Sequence, residues 1–301
     1  MSFYLGVLFA ILASILWGVN SHILRAGASG ENPFMALLYR GIVAFPILLI
    51  MTLVFRPLSA LTVYLSSELI LWVLLLVLSI IIGDGIYIYA MKKYEVSIIL
   101  PVATSYPVLV SVILIAFGIE HLGGLILIGT LMVVLGIALV THYRYNTDNI
   151  RTGIEPEAIL LGLGVALGWG MSVVFARIIL DAADTESFGL MTIRTVVIGL
   201  VGGMIYFSNS NNRQEYRKKS IATKKRSFSI FGLSGIFGWV LGATLLFLAL
   251  ENIEAGIATP ISASNPIIAV IIGQFTGIDK INFKQFLGIL LTTLGVILIV
   301  I

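Results

Sequence analysis

The 301-residue chain contains no cysteine, which excludes disulfides, a thiol nucleophile and any Cys-based metal site. Charge is also scarce. Only 11% of the residues are Asp, Glu, Lys or Arg, while 59% are hydrophobic and the mean hydropathy is +1.08; soluble chains carry about 25% charge. So little charge cannot wet the surface of a 32.6 kDa soluble protein, so a soluble enzyme, a secreted disulfide scaffold and a disordered chain are excluded. No His/Asp/Glu cluster has metal-ligand spacing and no phosphate-binding glycine loop is present, so neither a metal nor another cofactor is expected. No basic stretch precedes the first apolar run, so a cleaved signal peptide is not expected either. The net charge of +3 comes from basic residues gathered mostly in loops, the membrane-protein arrangement, and nucleic acid is not an expected partner.

What the chain has instead is long apolar runs. A helix needs about 20 apolar residues to cross the hydrocarbon layer, and ten stretches qualify: 3–25, 33–55, 68–91, 96–117, 123–141, 157–180, 187–208, 229–250, 256–276 and 283–301. Runs such as Leu69 to Ile82 are apolar all round, which excludes the alternation of a barrel strand. The expected class is therefore an all-α membrane protein with ten transmembrane helices. Fourteen of the 18 basic residues fall in connections 1/2, 3/4, 5/6, 7/8 and 9/10 or, as Arg25 and Lys284 do, at the span ends bordering them; Arg56 alone lies in the others, and Arg40, Arg177 and Arg194 lie within spans. The positive-inside rule puts both termini outside a cell membrane and the 209–228 connection in the cytoplasm. That connection holds seven Lys or Arg, read as a solvated topogenic loop or as a dock for anionic membrane lipid.

The chain also repeats itself. Glu95, Pro101 and Pro107 recur as Glu254, Pro260 and Pro266, and Glu120, Gly129 and Gly136 as Asp279, Gly288 and Gly295, all 159 positions on. Trp17-Gly18 and Arg25 recur as Trp169-Gly170 and Arg177 at 152, and Phe34 and Arg40 as Phe188 and Arg194 at 154. The expected organisation is a five-helix repeat over 1–145, a linker over 146–156 and a second five-helix repeat over 157–301. Because five is odd, the second copy enters the membrane from the opposite side, giving an inverted repeat of the kind used by secondary transporters.

The paired Trp-Gly motifs, the Pro-bearing fourth span after an acidic residue and the acidic residue opening spans 5 and 10 resemble the EamA-type, ten-span branch of the drug/metabolite transporter superfamily. The resemblance covers nearly the whole chain. It implies a central site formed by spans 1–4 and 6–9, with spans 5 and 10 as peripheral scaffold and Trp17 and Trp169 bordering the cavity. Members of that family are drawn with cytoplasmic termini, whereas loop charge here points the other way.

The candidate substrate path is built from polar residues inside spans. Arg40 and Asp84 each lie about 12 Å from the same membrane face at 1.5 Å per residue, so a buried pair is open to them, either static or changing between states. Charges in a bilayer persist where they pair or line a wet path. Arg194, the repeat mate of Arg40, has Ala243 where the repeat would put an Asp84 equivalent; Glu251, Glu254 or an anionic substrate are its candidate counter-charges. Arg177 reads as snorkelling to the interface. Thr104 and Tyr106 on span 4, and Thr259, Ser262 and Asn265 on span 9, put polar groups at helical spacing near Pro101, Pro107, Pro260 and Pro266. These prolines free backbone carbonyls in two corresponding spans. Asp84 and His22 are the proton-coupling candidates.

Three basic groups against one acid repel cations. The expected activity is therefore secondary transport of a small anionic or zwitterionic, amino-acid-like metabolite by alternating access, with H+ or another ion as a possible co-substrate. The alternatives are a receptor or scaffold without transport, or an exporter of cationic or hydrophobic drugs. A membrane-embedded enzyme is disfavoured because a single intramembrane Asp lacks a catalytic partner.

Overall fold

The computed structural model describes residues 2–28, 31–94, 99, 102–142, 156–182, 185–275 and 281–301. Among them there are helices and no strand. We label the helices α1 (Ser2–Ala28), α2 (Pro33–Phe55), α3 (Ile70–Lys93), α4 (Tyr106–Ala116), α5 (Gly124–His142), α6 (Pro156–Leu180), α7 (Ser187–Ser208), α8 (Ser210–Lys218), α9 (Ile221–Leu250), α10 (Ala255–Ala263), α11 (Asn265–Phe275) and α12 (Phe283–Val300). Eight described segments are long and apolar enough to cross a membrane, with α10 and α11 counted as one, and α4 and α5 are shorter apolar helices. The bundle is apolar outside as well as inside. Leu71, Leu74, Leu78 and Ile82 form an exposed ridge along α3, and Leu160, Leu163 and Leu167 another along α6. Such surface is tolerable only against lipid. The protein is a multi-pass, all-helical membrane protein.

Sequence sets the helix starts. Asn32 accepts the Phe34 N–H at 2.9 Å with Pro33 as the first helical residue of α2, and Asn282 and Gln285 form a reciprocal capping box at α12. The Glu186 carboxylate caps α7 through the N–H groups of Phe188 and Gly189. Two interruptions divide the expected spans 4 and 9. Ser105 (φ −75°, ψ −4°) precedes α4, and Ser264 (φ −71°, ψ 3°) separates α10 from α11. Each lies two residues before a proline, Pro107 or Pro266, whose missing N–H and bulky ring stop the helical ladder. Pro260, by contrast, sits inside continuous α10, and Pro101 lies outside the described residues.

The 209–228 connection differs from its reading as a loop. It is helical over most of its length, as α8 and the first part of α9. Its Lys, Arg and Ala content favours helix, and the Ser220 side chain caps Thr223 N–H at 3.1 Å. Lys219 anchors it by reaching buried Glu31 at 2.7 Å. Burial works against the Lys219 charge, but the bonds to Glu31 and Glu215 outweigh it and hold the ammonium pKa above its ordinary value. Of the expected linker 146–156, only Pro156 lies among the described residues, as the start of α6.

The helices pack in definite pairs: α2 on α7, α3 on α6, α5 on α12, α1 against α9, α10 and α11, and α4 against α6 and α10. The α5–α12 crossing depends on glycine. A Cβ at Gly129 would stand 2.7 Å from the Gly295 carbonyl oxygen, and one at Gly136 would stand 2.6 Å from that of Gly288. Rising numbers on one helix meet falling numbers on the other, so the two are antiparallel.

Candidate functional site

The inner ends of α1, α2, α3, α6, α7, α9 and α11, with the turn before α4, enclose a cavity of about 170 Å3. Trp17, Arg40, Asp84, Thr104, Tyr106, Trp169, Arg194 and Asn265 all line it, as does His22. Thr259 and Ser262 do not. Both are fully buried, and their hydroxyls donate to the carbonyls of Ala255 and Thr259 in their own helix, at 2.6 and 3.1 Å. Ser262 also meets the Tyr106 hydroxyl, so it supports the wall from behind. His22 Nε2 sits 3.0 Å from the Ala269 carbonyl oxygen, which ties α1 to α11.

The expected ion pair is present. Arg40 Nη1 donates to Asp84 Oδ2 at 2.9 Å, with both side chains almost wholly buried. The other carboxylate oxygen, Oδ1, accepts the Trp169 indole N–H at 2.9 Å. Trp169 reaches it because α6 runs tightly against α3: a Cβ at Gly83 would stand 2.9 Å from Trp169 Cδ1. Trp17 packs in the same way on Gly242, where a Cβ would stand 2.6 Å from Nε1. There the next residue is Ala243, which has no acceptor to offer. Trp17 instead donates to the Gly238 carbonyl at 2.9 Å. That carbonyl lies in a π-helical stretch, Gly235–Ala243, where widened geometry unseats the ordinary α-helical pairing.

Sequence reading missed the aromatic centre of the site. Trp239 lines the cavity, with the Arg40 guanidinium 4.2 Å and that of Arg194 5.7 Å from its ring centre. Phe247, on the same helix as Trp239, has its ring centre 5.8 Å from the Arg194 guanidinium. A tryptophan so deep in a span, far from any interfacial belt, was the available signal. Arg194 itself is 4% exposed. Its Nη1 meets only the Met191 sulfur at 3.5 Å, and Nε has no partner. Among the described residues no carboxylate pairs with it. Glu251 is turned elsewhere, accepting from the Ser187 hydroxyl at 2.7 Å.

Arg177 is held by partners at a bundle end: it reaches buried Glu120 at 3.3 Å, half-exposed Asp181 at 3.2 Å and the Leu250 carbonyl at 2.5 Å. Buried Glu120 in turn caps α10, accepting from Ala255 N–H at 2.6 Å and Gly256 N–H at 3.0 Å. Burial pushes the Glu120 carboxyl pKa up, against the opposing pull of those N–H groups and Arg177. Nearby, Tyr64 bridges to the backbone of Glu186. These contacts knit one end of the bundle. The cavity lining reaches toward the other end, where Leu24 and Ile88 lie.

Fold and cavity together define a polytopic helical membrane protein with a buried, charged chamber. Comparison with known sequences gives the family: the chain belongs to the EamA-like transporter family, which matches residues 4–142 and 156–301. An uncharacterized transporter of Archaeoglobus fulgidus is 24% identical over 296 residues, 98% of each chain. An uncharacterized protein of Methanocaldococcus jannaschii is 27% identical over 142 residues, which is 47% of this chain and 95% of that one. A solved crystal structure shares the fold, with a TM-score of 0.77 and 14% identity, covering 97% of this chain and 95% of the other. The family and the name of the Archaeoglobus relative support a membrane transporter.

Proposed function

We propose that the protein is a secondary carrier for a small anionic or zwitterionic metabolite. The observation that carries this reading is Arg194: a buried guanidinium on the cavity wall, with no acid partner among the described residues and an unused Nε. An unpaired charge at that depth is costly, and a ligand anion relieves the cost. Trp17, Trp169, Trp239 and Tyr106 supply walls for an apolar body, with Thr104 and Asn265 as further polar contacts. Asp84 and His22 are the groups offered for proton coupling.

The carrier works by alternating access between two inverted five-helix repeats, ten spans in all. Three features support this. The family matches the chain as two stretches, one per half. The Methanocaldococcus relative has about the length of one half. The contacts survive exchange of the halves: Gly83–Trp169 maps onto Gly242–Trp17, Gly129–Gly295 onto Gly288–Gly136, and the break at Ser105 onto the break at Ser264. The Arg177–Glu120 network then closes one face while the chamber communicates with the other. By loop charge that other face is cytoplasmic, with the termini outside the cell membrane.

Counterflow in liposomes tests the function. Purified protein loaded with an accepted organic anion should accelerate entry of the same labelled anion, saturably and with no nucleotide. An absence of counterflow for every anion and zwitterion offered, beside counterflow of a cation, would overturn the substrate class.

A further inference from the structure

Asn20 also borders the cavity, and the anion reading leaves it unused. Its side chain is 5% exposed and the amide oxygen Oδ1 has no hydrogen-bond partner. A buried amide oxygen left unpaired is expensive, and a donor carried by a ligand would relieve that cost. Gly238 lets the side chains of α1 and α2 pack closely here: a Cβ at Gly238 would stand 2.8 Å from Asn20 Nδ2 and 3.0 Å from Arg40 Nη2. Asn20 therefore sits beside Arg40, and Arg40 and Arg194 flank the ring of Trp239. Each Asp84 oxygen already accepts one hydrogen bond, from Arg40 and from Trp169, whereas Asn20 Oδ1 accepts none.

Resting on the anion reading above, we propose that Asn20 is a specificity-determining residue that accepts an N–H or O–H carried next to the ligand's anionic group. The ligand class is then a small 2-amino or 2-hydroxy acid, and a plain carboxylate of the same skeleton is discriminated against. A site built around a polar acceptor rejects the analogue lacking the donor, because the acceptor is left bare in the complex.

The test measures dissociation constants by calorimetry on the full-length protein in nanodiscs. Three matched sets are used: L-alanine, L-lactate and propionate; L-leucine, 2-hydroxy-4-methylpentanoate and 4-methylpentanoate; and L-phenylalanine, 3-phenyllactate and 3-phenylpropionate. Each is accompanied by its decarboxylated amine. In at least one set the amino or hydroxy acid should bind about tenfold tighter than the plain acid, the worth of one buried hydrogen bond. Asn20→Leu should erase that preference, bringing the plain acid's affinity level with those of the amino and hydroxy acids. Asn20→Asp, which keeps an acceptor and adds charge, should favour the amino acid over the hydroxy acid, and it decides the matter if Asn20→Leu does not fold. Equal binding of all three acids overturns the role of Asn20 alone, as does a preference that survives Asn20→Leu. A uniform loss across the three acids means that Asn20 merely steadies Arg40, and also overturns it. Binding of amines with no acid bound, or no binding in any set, overturns the anion reading and this inference together.

Discussion

Trp169 and Asp84 are joined by a 2.9 Å hydrogen bond from the indole nitrogen to Oδ1, which leaves Oδ2 for Arg40. One carboxylate thus ties α2, α3 and α6 together at the cavity wall. Replacing Asp84 by Asn strips Arg40 of its counter-charge, and breaking a buried pair on one side costs about 3–5 kcal/mol. We expect Asp84→Asn to lower unfolding stability by that order and to weaken or uncouple transport. The double variant Arg40→Gln/Asp84→Asn should recover much of the stability, since it removes the orphaned charge. A denaturation cycle on the four proteins checks this; additive losses would show that the pair is not energetically coupled.

Arg194→Gln should behave differently. Among the described residues the guanidinium's only contact in hydrogen-bonding range is the Met191 sulfur, and its unpaired charge costs the fold free energy. A charge-assisted hydrogen bond to ligand contributes about 1.5–3 kcal/mol, so affinity for an accepted anion should fall by about ten- to a hundredfold while the unfolding midpoint holds or rises. Wild-type affinity in this variant would remove Arg194 from the binding site.

The Glu120 cap makes stability depend on pH in a defined direction. Its folded pKa is raised above the ordinary glutamate value, so over the range between the two the folded state holds more protons than the unfolded state. Its contribution therefore falls as pH rises through the folded pKa and is regained as pH drops toward that of an exposed glutamate. Melting temperatures of wild type and Glu120→Gln, compared from pH 8 down to pH 4.5, should show wild type gaining on the variant with acidity. A constant difference would mean that Glu120 has an ordinary pKa.

Orientation is open to a clean labelling experiment because the chain has no native cysteine. Lys225 is exposed on the basic first part of α9. Lys225→Cys should resist a membrane-impermeant maleimide in intact cells and react once they are permeabilised. Rapid labelling of intact cells would reverse the assignment of the faces and put the Arg177–Glu120 network on the cytoplasmic side.

Much of the fold was legible in the chain. Runs of apolar residues long enough to span the membrane and the offset of 159 linking Pro107 to Pro266 and Gly129 to Gly288 are local or periodic signals. Within the site, the Arg40–Asp84 pair could be read from depth alone, because two opposite charges at one level of a bilayer have few other partners. For Trp239 the sequence shows only its depth in a span, since nothing local tells which neighbours a tryptophan there will meet. The Arg177–Glu120 contact was equally hidden, because it joins groups 57 positions apart through the packing of α6 beside the 4/5 connection.

By itself the amino-acid order determined the solvent of this protein, its long apolar helices and the scarcity of buried charge, because hydropathy and spacing act residue by residue. Only the packed bundle decided which polar groups face one another. It sent Thr259 and Ser262 to their own backbone, Arg177 to Glu120, and Arg194 and Asn20 to a shared cavity with atoms to spare. The reason is geometric: a helix of known length still has to choose its rotation and its neighbour. Those choices are made by close approaches such as Gly83 on Trp169 and Gly242 on Trp17, which exist only once distant helices meet.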